Sequence, residues 1–311
     1  MKTPSKYSPR GFTLIELLVA MAITTIIITV LVSVTAMALD TWNRSRAEIR
    51  AARQAKSMID SMARDFEAFV SRKGNTFEWL YAKSNPSSDG PKGSGSPNAI
   101  DLVFFSAATD RYEGKIGDSN FDKGGDVSTV GYKLTYKDPI AGAAPDEYKT
   151  FVLYRKIVNP DVTFANILGQ ANIQVPFEAA INTGDTGKEI DKEVNFICEN
   201  VYQFTVTFHV SATVGTVPKS VAIPLKGGTS QEFRITGSGI NGTFTLPAGA
   251  GVNIDQLKAG RLSAAEISIT VLSDFGMQQM RRRGDLTGSK LEEFIAEHSY
   301  QYSKVVQLPG S

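Results

Sequence analysis

A long apolar run near the amino terminus is the strongest feature of the hydrophobic pattern. Residues 14–39 are apolar except for Glu16, four threonines and Ser33. A helix rises about 1.5 Å per residue, so this run is roughly 39 Å long, enough to cross a bilayer. Three positive charges precede it, at Lys2, Lys6 and Arg10. The positive-inside rule therefore predicts a short cytoplasmic amino terminus and an exported remainder.

Three interpretations compete for this run. A cleaved secretory signal needs an apolar core of only about 7–15 residues, and Ala36-Met37-Ala38 fits its small-residue cleavage site. An uncleaved single-pass anchor fits the length but leaves Glu16 unexplained, because a carboxylate in a span costs about 2.5–3.5 kcal/mol on insertion scales. The third interpretation rests on the residues at the start of the run.

The segment Gly11-Phe12-Thr13-Leu14-Ile15-Glu16 resembles the processing site of type IV prepilins and of the pseudopilins of type II secretion systems. The resemblance implies that a prepilin peptidase cuts between Gly11 and Phe12 and methylates the new amino-terminal Phe12. Glu16 then becomes the fifth residue of the mature chain, a position that this family keeps acidic.

Glu16 has a physical role in the assembly that the resemblance implies. Cleavage creates a positive amine on Phe12, and an isolated charge is costly among bundled apolar helices. We expect Glu16 of one subunit to neutralise that amine on its neighbour, as an assembly carboxylate. The implied partners are prepilin peptidase, an inner-membrane assembly platform, and other minor and major pilin-like subunits.

Beyond the apolar run the helical pattern continues, with charges on one face and apolar residues at spacings of three and four. These apolar residues are Ala52, Ala55, Ile59, Met62, Phe66 and Phe69. No Pro or Gly interrupts residues 12–72, so we predict one helix of about 60 residues that stops near Gly74. The simpler interpretation of the stripe is the core of its own domain, and the filament interpretation adds packing against partner helices.

The rest of the chain has the short alternating segments of an antiparallel sheet. Six segments are predicted as strands: Ile100–Ser106, 129–136, 150–157, 196–210, Glu232–Thr236 and 264–272. The predicted fold class is α+β and pilin-like, with a long amino-terminal helix packed on the sheet. The predicted organisation is a leader at 1–11, a transmembrane or filament-core helix at 12–39, an amphipathic spine at 40–73 and an exported β-rich domain at 74–311.

Within the pseudopilins the chain is most similar to the J-type minor subunits. The similarity rests on Arg64-Asp65 in the spine and on strands such as Leu102-Val103-Phe104-Phe105-Ser106. The chain is longer than that group, with insertions around residues 84–98, 138–148, 159–192 and 212–245. It also resembles a cassette family of prepilin-like surface proteins in Verrucomicrobia.

An acidic, glycine-rich segment resembles a calcium loop in part. Its oxygen-bearing side chains are Asp118, Asn120, Asp122 and Asp126, and calcium prefers several oxygen ligands in a tight turn. The sixth position holds Lys123 instead of Gly, and the twelfth, Thr129, has no bidentate carboxylate. We predict a solvated loop, with a calcium site as the weaker alternative, and no resident cofactor.

Composition narrows the functional classes. The chain has 33 Lys and Arg against 32 Asp and Glu, which argues against a nucleic-acid-binding surface formed by bulk charge. Cys198 is the single cysteine, and His209 and His298 are far apart in the sequence. No disulfide, zinc motif or catalytic constellation is visible, so we predict a protein that is not an enzyme.

Two further segments complete the pattern. Residues 84–98 are rich in Ser, Gly and Pro, which predicts a mobile surface loop. Ser289-Lys290-Leu291-Glu292 matches a capping box at the start of a short helix, and residues 300–308 are predicted as an edge strand.

The expected function is that of a minor pilin-like subunit, a pseudopilin, in a type II secretion or type IV pilus-like filament, in a tip or initiation complex. The expected location is the inner membrane, with one span, before assembly into a filament in the periplasm or at the cell surface. Two alternatives stay open: a surface-displayed binding protein exported by the same amino terminus, and a secreted enzyme behind an ordinary signal.

Overall fold

The computed structural model describes residues 11–87, 89–107, 125–140, 148–182, 190–226 and 230–309. The chain divides into two compact units, one up to Ile49 and one from Arg50 onward. Helix α1 (Leu14–Glu67) begins in the first unit and ends in the second. All strands of the described residues lie in the second unit.

Helix α1 ends earlier than the Pro- and Gly-free pattern predicts. After Glu67 the backbone pairs with the end of a strand: the Val70 N–H donates to the Phe105 carbonyl (3.0 Å) and the Ala107 N–H donates to the Ala68 carbonyl (2.8 Å). The Val70 N–H and the Ala68 carbonyl would form helix hydrogen bonds if α1 continued. Because they bond to Phe105 and Ala107 instead, the helix ends seven residues before Gly74.

Two antiparallel sheets form the described β-structure. The seven-stranded sheet has the order β5-β4-β3-β2-β1-β8-β9, and the four-stranded sheet has the order β11-β10-β6-β7. The strands are β1 (Glu78–Ser84), β2 (Ile100–Ser106), β3 (Ser128–Lys137), β4 (Thr150–Val158), β5 (Phe196–Glu199), β6 (Val201–Val214), β7 (Val217–Leu225), β8 (Glu232–Thr236), β9 (Gly239–Thr243), β10 (Arg261–Leu272) and β11 (Ser299–Gln307).

The described part of the second unit also has five shorter α-helices, together with 3-10 turns at Pro91–Gly93 and Glu193–Asn195. The helices are α2 (Pro160–Val162), which continues into a π-helical turn (Thr163–Ile167), α3 (Gln174–Asn182), α4 (Ile254–Lys258), α5 (Asp274–Arg282) and α6 (Ser289–His298). Helix α3 comes from the predicted insertion at 159–192 and covers the seven-stranded sheet. Its Phe177 packs on Gly131, where a Cβ atom would lie only 2.3 Å from the ring.

The second half of α1 and the two sheets share one core. Phe66 of α1 stacks on Phe104 of β2, with ring centroids 4.7 Å apart. Phe208 of β6 stacks on Phe233 of β8 at 4.3 Å, which joins the two sheets. Successive strand residues alternate faces, so Val130 and Tyr132 point to this core while Gly131 faces α3. The predicted α+β, pilin-like fold class is confirmed.

The predicted strands Ile100–Ser106 and Glu232–Thr236 have the observed bounds, and the predicted edge strand at 300–308 is β11. The predicted strand 196–210 is interrupted at Asn200, whose φ is 60°. This left-handed residue separates β5 from β6 and allows the chain to pass from one sheet to the other. Strands β1, β7 and β9 were not predicted.

Two local predictions are corrected. The segment 84–98 is not a fully exposed loop, since Pro91, Ser94 and Ser96 are buried and the Ser94 hydroxyl donates to the Leu286 carbonyl (3.1 Å). Helix α6 begins at the predicted residue, but Gly288 is its N-cap and no side chain caps it, so the predicted capping box does not form.

Candidate functional site

The Gly11–Phe12 peptide bond lies just before α1, in non-helical backbone. The Phe12 side chain is 89% exposed. A Cβ atom built at Gly11 meets nothing within 4 Å, and its backbone does not adopt the left-handed conformation that favours glycine. Among the described residues, no contact and no backbone conformation requires glycine at position 11.

Thr13 and Glu16 form a capping box at the start of α1. The Thr13 backbone N–H and hydroxyl both donate to Glu16 Oε2, each at 2.8 Å, and the Glu16 N–H donates to Thr13 Oγ1 at 3.3 Å. These contacts satisfy helix N–H groups that would otherwise be unpaired. Sequence reasoning assigned Glu16 only to the neighbouring subunit and missed its local partner, although Thr-x-x-Glu is a recognised capping pattern.

The apolar part of α1 is suited to a membrane by length and composition, and none of its most apolar stretch is buried within the chain. Its threonine hydroxyls are satisfied inside the helix. Thr24, Thr25, Thr29 and Thr35 each donate to the carbonyl four residues earlier, at 2.8 Å. These four threonines can therefore enter hydrocarbon without an unpaired hydroxyl donor.

The predicted stripe of α1 is core of its own domain. Ala55, Ile59, Met62, Phe66 and Phe69 are at most 5% exposed, and Ala52 is half-buried. These five residues pack in the core of their own domain, which is the simpler interpretation of the stripe, and packing against partner helices stays a prediction. The same face also buries Ala51, Met58, Ala63 and Asp65, which the stripe did not include.

Asp65 anchors α1 to the seven-stranded sheet. Its carboxylate accepts two bonds from Arg155 on β4, from Nε at 2.8 Å and from Nη2 at 2.6 Å. The Tyr132 hydroxyl on β3 donates to the same carboxylate. Burial and the neighbouring Asp65 raise the pKa of Tyr132 well above its ordinary value, so the hydroxyl keeps the proton that it donates. We call these three residues the Asp65 clamp.

The other residues that the sequence suggests for metal binding or catalysis form no site in the described part of the chain. Asp118, Asn120 and Asp122 lie outside the described residues, and Asp126 is exposed. The described ranges contain no cluster of three or more His, Cys, Asp or Glu residues that could hold a metal ion. Cys198 is buried, and burial raises the pKa of its thiol to about 12.

Residues 8–32 match the family model of the prokaryotic N-terminal methylation motif. No curated protein and no solved structure matches the chain. The matched residues contain the exposed Gly11–Phe12 bond, the capping box and the first part of the apolar helix. A motif of this prepilin type implies processing by prepilin peptidase and assembly with other pilin-like subunits, and the apolar helix indicates membrane anchoring.

Proposed function

We propose that this chain is a minor pilin-like subunit, a pseudopilin, of a type II secretion or type IV pilus-like filament. Prepilin peptidase cuts between Gly11 and Phe12 and methylates Phe12. The precursor crosses the inner membrane once, with residues before the span in the cytoplasm and the β-rich domain exported. An inner-membrane assembly platform then moves the processed chain into a tip or initiation complex with other pilin-like subunits.

One observation carries the proposal: the methylation motif at residues 8–32 coincides with an accessible Gly11–Phe12 bond in front of a helix that suits a membrane. The absence of any contact at Gly11 supports recognition in place of a folding role. The rest of the chain supports a scaffold role, since its charged residues in the core, such as Asp65, are used in packing contacts. We accordingly propose that the protein is not an enzyme.

Glu16 is proposed as the assembly carboxylate. In the separate chain its Oε2 atom accepts two hydrogen bonds from Thr13, which carries no charge. These bonds leave the negative charge of Glu16 unneutralised, and an unneutralised charge is costly among apolar helices. The amine of Phe12 on an adjacent subunit therefore competes favourably for the carboxylate in an apolar surrounding.

The first test is the intact mass and amino-terminal residue of the protein purified from its own cell envelope. We expect a chain that begins with N-methylated Phe12. A chain that begins near Leu39, or that retains Met1, would contradict the proposal and support a secretory signal or a plain anchor.

The second test separates the two contacts of Glu16. We expect Glu16→Ala to be inserted and processed normally but to be lost from filaments by at least about tenfold, since an amine without its partner costs more than 1.4 kcal/mol. The matched control is Thr13→Ala, which removes only the cap and costs about 1 kcal/mol of helix stability. Equal assembly defects in both variants would show that Glu16 acts only as a cap.

A second candidate function is that of a surface-displayed binding protein. It is supported by a cavity of about 390 Å³ between α3 and strands β1 to β3, which is lined by polar residues such as Asp101, Lys133 and Glu178. The copy number of the chain relative to the most abundant pilin-like subunit separates the candidates. A tip subunit is rare, whereas a displayed binding protein is abundant.

A further inference from the structure

Three of the four sheet edges in the described part of the chain are poor templates for another strand. Strand β5 has four residues, and β9 has Gly239 and Gly242 at φ 134° and 124°. Strand β7 contains Pro218 and Pro224. Short strands, glycine kinks and prolines are the devices by which proteins prevent edge-to-edge pairing.

The prolines of β7 remove donors from its free side. Val214 pairs with Val217 across the two-residue turn that joins β6 to β7, so odd-numbered residues of β7 bond to β6 and even-numbered residues face outward. Both prolines are at even positions. Between Pro218 and Pro224, the N–H groups on the free side of β7 are therefore those of Ser220 and Ala222 only.

Strand β11 differs from the other three edges. It has nine residues, without proline or glycine, and forms one side of the four-stranded sheet. The Leu308 N–H donates to the Ser263 carbonyl (3.0 Å). In this antiparallel register, the even-numbered residues of β11 form the backbone hydrogen bonds to β10. The odd-numbered residues consequently direct their N–H and C=O groups to the free side. Beyond Ser299, the first residue of the strand, they are Gln301, Ser303, Val305 and Gln307.

The side chains of these four residues also favour pairing. They are exposed and uncharged, and Val305 is 53% exposed. The one lysine of the strand, Lys304, lies on the other face and pairs with Asp60 of α1 at 2.9 Å. A charged residue on the outward face would repel an incoming strand, and β11 has none there.

We propose that the free edge of β11 binds an extended strand of a different pilin-like subunit, which thereby adds a fifth strand to the four-stranded sheet. Backbone hydrogen bonds to the odd-numbered residues supply the affinity, as in other cases of strand addition. The inference rests on the proposed function, because it identifies the partner as another subunit of the same filament.

We assign the contact to a different subunit because, among the described strands, the one suitable edge of a second copy is β11 itself. Pairing of β11 with β11 is a two-fold contact that closes on itself, whereas a growing filament needs a contact between unlike surfaces. The other described edges, β5, β7 and β9, are short or lack donors, as shown above. A heterotypic contact is thus the arrangement that uses β11 within a filament.

The experiment uses full-length chains in cells that also make the other pilin-like subunits. Ser303→Pro removes one outward N–H without removing a bond to β10, and Val305→Lys places a charge on the outward face. Ser303→Thr keeps the donor at the same position, and Ser220→Pro makes the equivalent change on β7. The amount of chain in the filament fraction, relative to the envelope, is measured for each.

We expect Ser303→Pro and Val305→Lys to reduce incorporation by about tenfold, since one edge hydrogen bond and its neighbours contribute roughly 1–2 kcal/mol. Ser303→Thr and Ser220→Pro should remain within about twofold of wild type on the same scale. A photo-crosslinking residue at Gln301 should join the chain to a subunit that itself begins with methylated Phe. A crosslink to a second copy would overturn the heterotypic contact.

Amide hydrogen exchange provides a measurement without variants. The Gln301, Ser303, Val305 and Gln307 amides should exchange more slowly in the filament than in the detergent-solubilised chain. Unchanged exchange, or normal incorporation of Ser303→Pro and Val305→Lys, overturns the inference about β11 while leaving the proposed function intact. A wild-type chain that is not processed at Phe12 contradicts the proposed function instead, so the two failures are distinguishable.

Discussion

Replacing Asp65 by Asn should destabilise the folded domain by about 3–5 kcal/mol, the cost of leaving one partner of a buried ion pair without the other. The Asp65 side chain is 3% exposed and that of Arg155 is 13% exposed. Asn keeps the size of the side chain but removes the charge that faces two guanidinium donors. The loss therefore reports the removed carboxylate charge rather than a cavity.

This loss is large relative to the total stability, because domains unfold with about 5–15 kcal/mol. Asp60→Asn is the matched control on the same helix. It removes the pair between Asp60 and Lys304, whose side chains are 43% and 41% exposed. Exposed pairs contribute about 0–1 kcal/mol, so the control should be close to wild type.

Urea unfolding of the full chain in detergent micelles measures both variants. Trp79 is 4% exposed and reports the core, whereas Trp42 is 62% exposed, so the measurements use a Trp42→Phe background. Arg155→Met provides the second half of a double-mutant cycle. Removing both charges should cost clearly less than the sum of the single changes, since each single change already breaks the Asp65–Arg155 pair.

The reasoning is refuted if Asp65→Asn differs from Asp60→Asn by less than about 1 kcal/mol, the upper contribution of an exposed pair. It is also refuted if Asp65→Asn and Arg155→Met are additive. Either result would mean that the Asp65 clamp contributes no more than a surface contact to the attachment of α1.

Two further predictions concern the packing of the sheet and the buried thiol. Gly131→Ala should cost about 1–3 kcal/mol by overpacking, because the new methyl group meets the Phe177 ring, and Phe177→Leu should recover part of this loss in the same urea assay. Cys198 should resist alkylation at pH 8 in the folded chain, since a pKa of about 12 leaves about one thiol in 10,000 ionised, and rapid modification without urea would contradict its burial. Its raised pKa also means that stability is retained below the unfolded thiol pKa and falls as the pH rises from about 9 toward 12, a fall that Cys198→Ala should reduce.

Local patterns predicted most of the elements that depend on nearby residues. The apolar run and the charged helix that follows it have helical spacing throughout. Strand β8 alternates and β2 is a short apolar run, and both patterns are clear enough to define their bounds. Strand β7 was missed because Pro218 and Pro224 argue against a strand, and only its position at an edge makes them tolerable. Strand β9 was missed because its glycines weaken the strand pattern.

Contacts between distant residues were not predictable from one sequence. Asp65 and Arg155 are 90 positions apart, and nothing in either local pattern indicates that they meet. The segment 84–98 has the composition of an exposed loop. Ser94 is nevertheless buried, and its hydroxyl donates to the Leu286 carbonyl, a contact that only the complete fold creates. At the amino terminus, by contrast, the Thr13–Glu16 contact spans three residues and was present as a sequence pattern.

The isolation of Gly11 has a consequence for the interpretation of variants. No atom of the described residues lies within 4 Å of a Cβ atom built at Gly11, and the adjacent Phe12 is almost fully exposed. Substitutions at either position should leave the melting temperature, protease resistance and yield of the purified chain unchanged. Any survey that ranks variants by folding would therefore score both positions as tolerant, and an assay of maturation in living cells is needed to test their proposed role in processing.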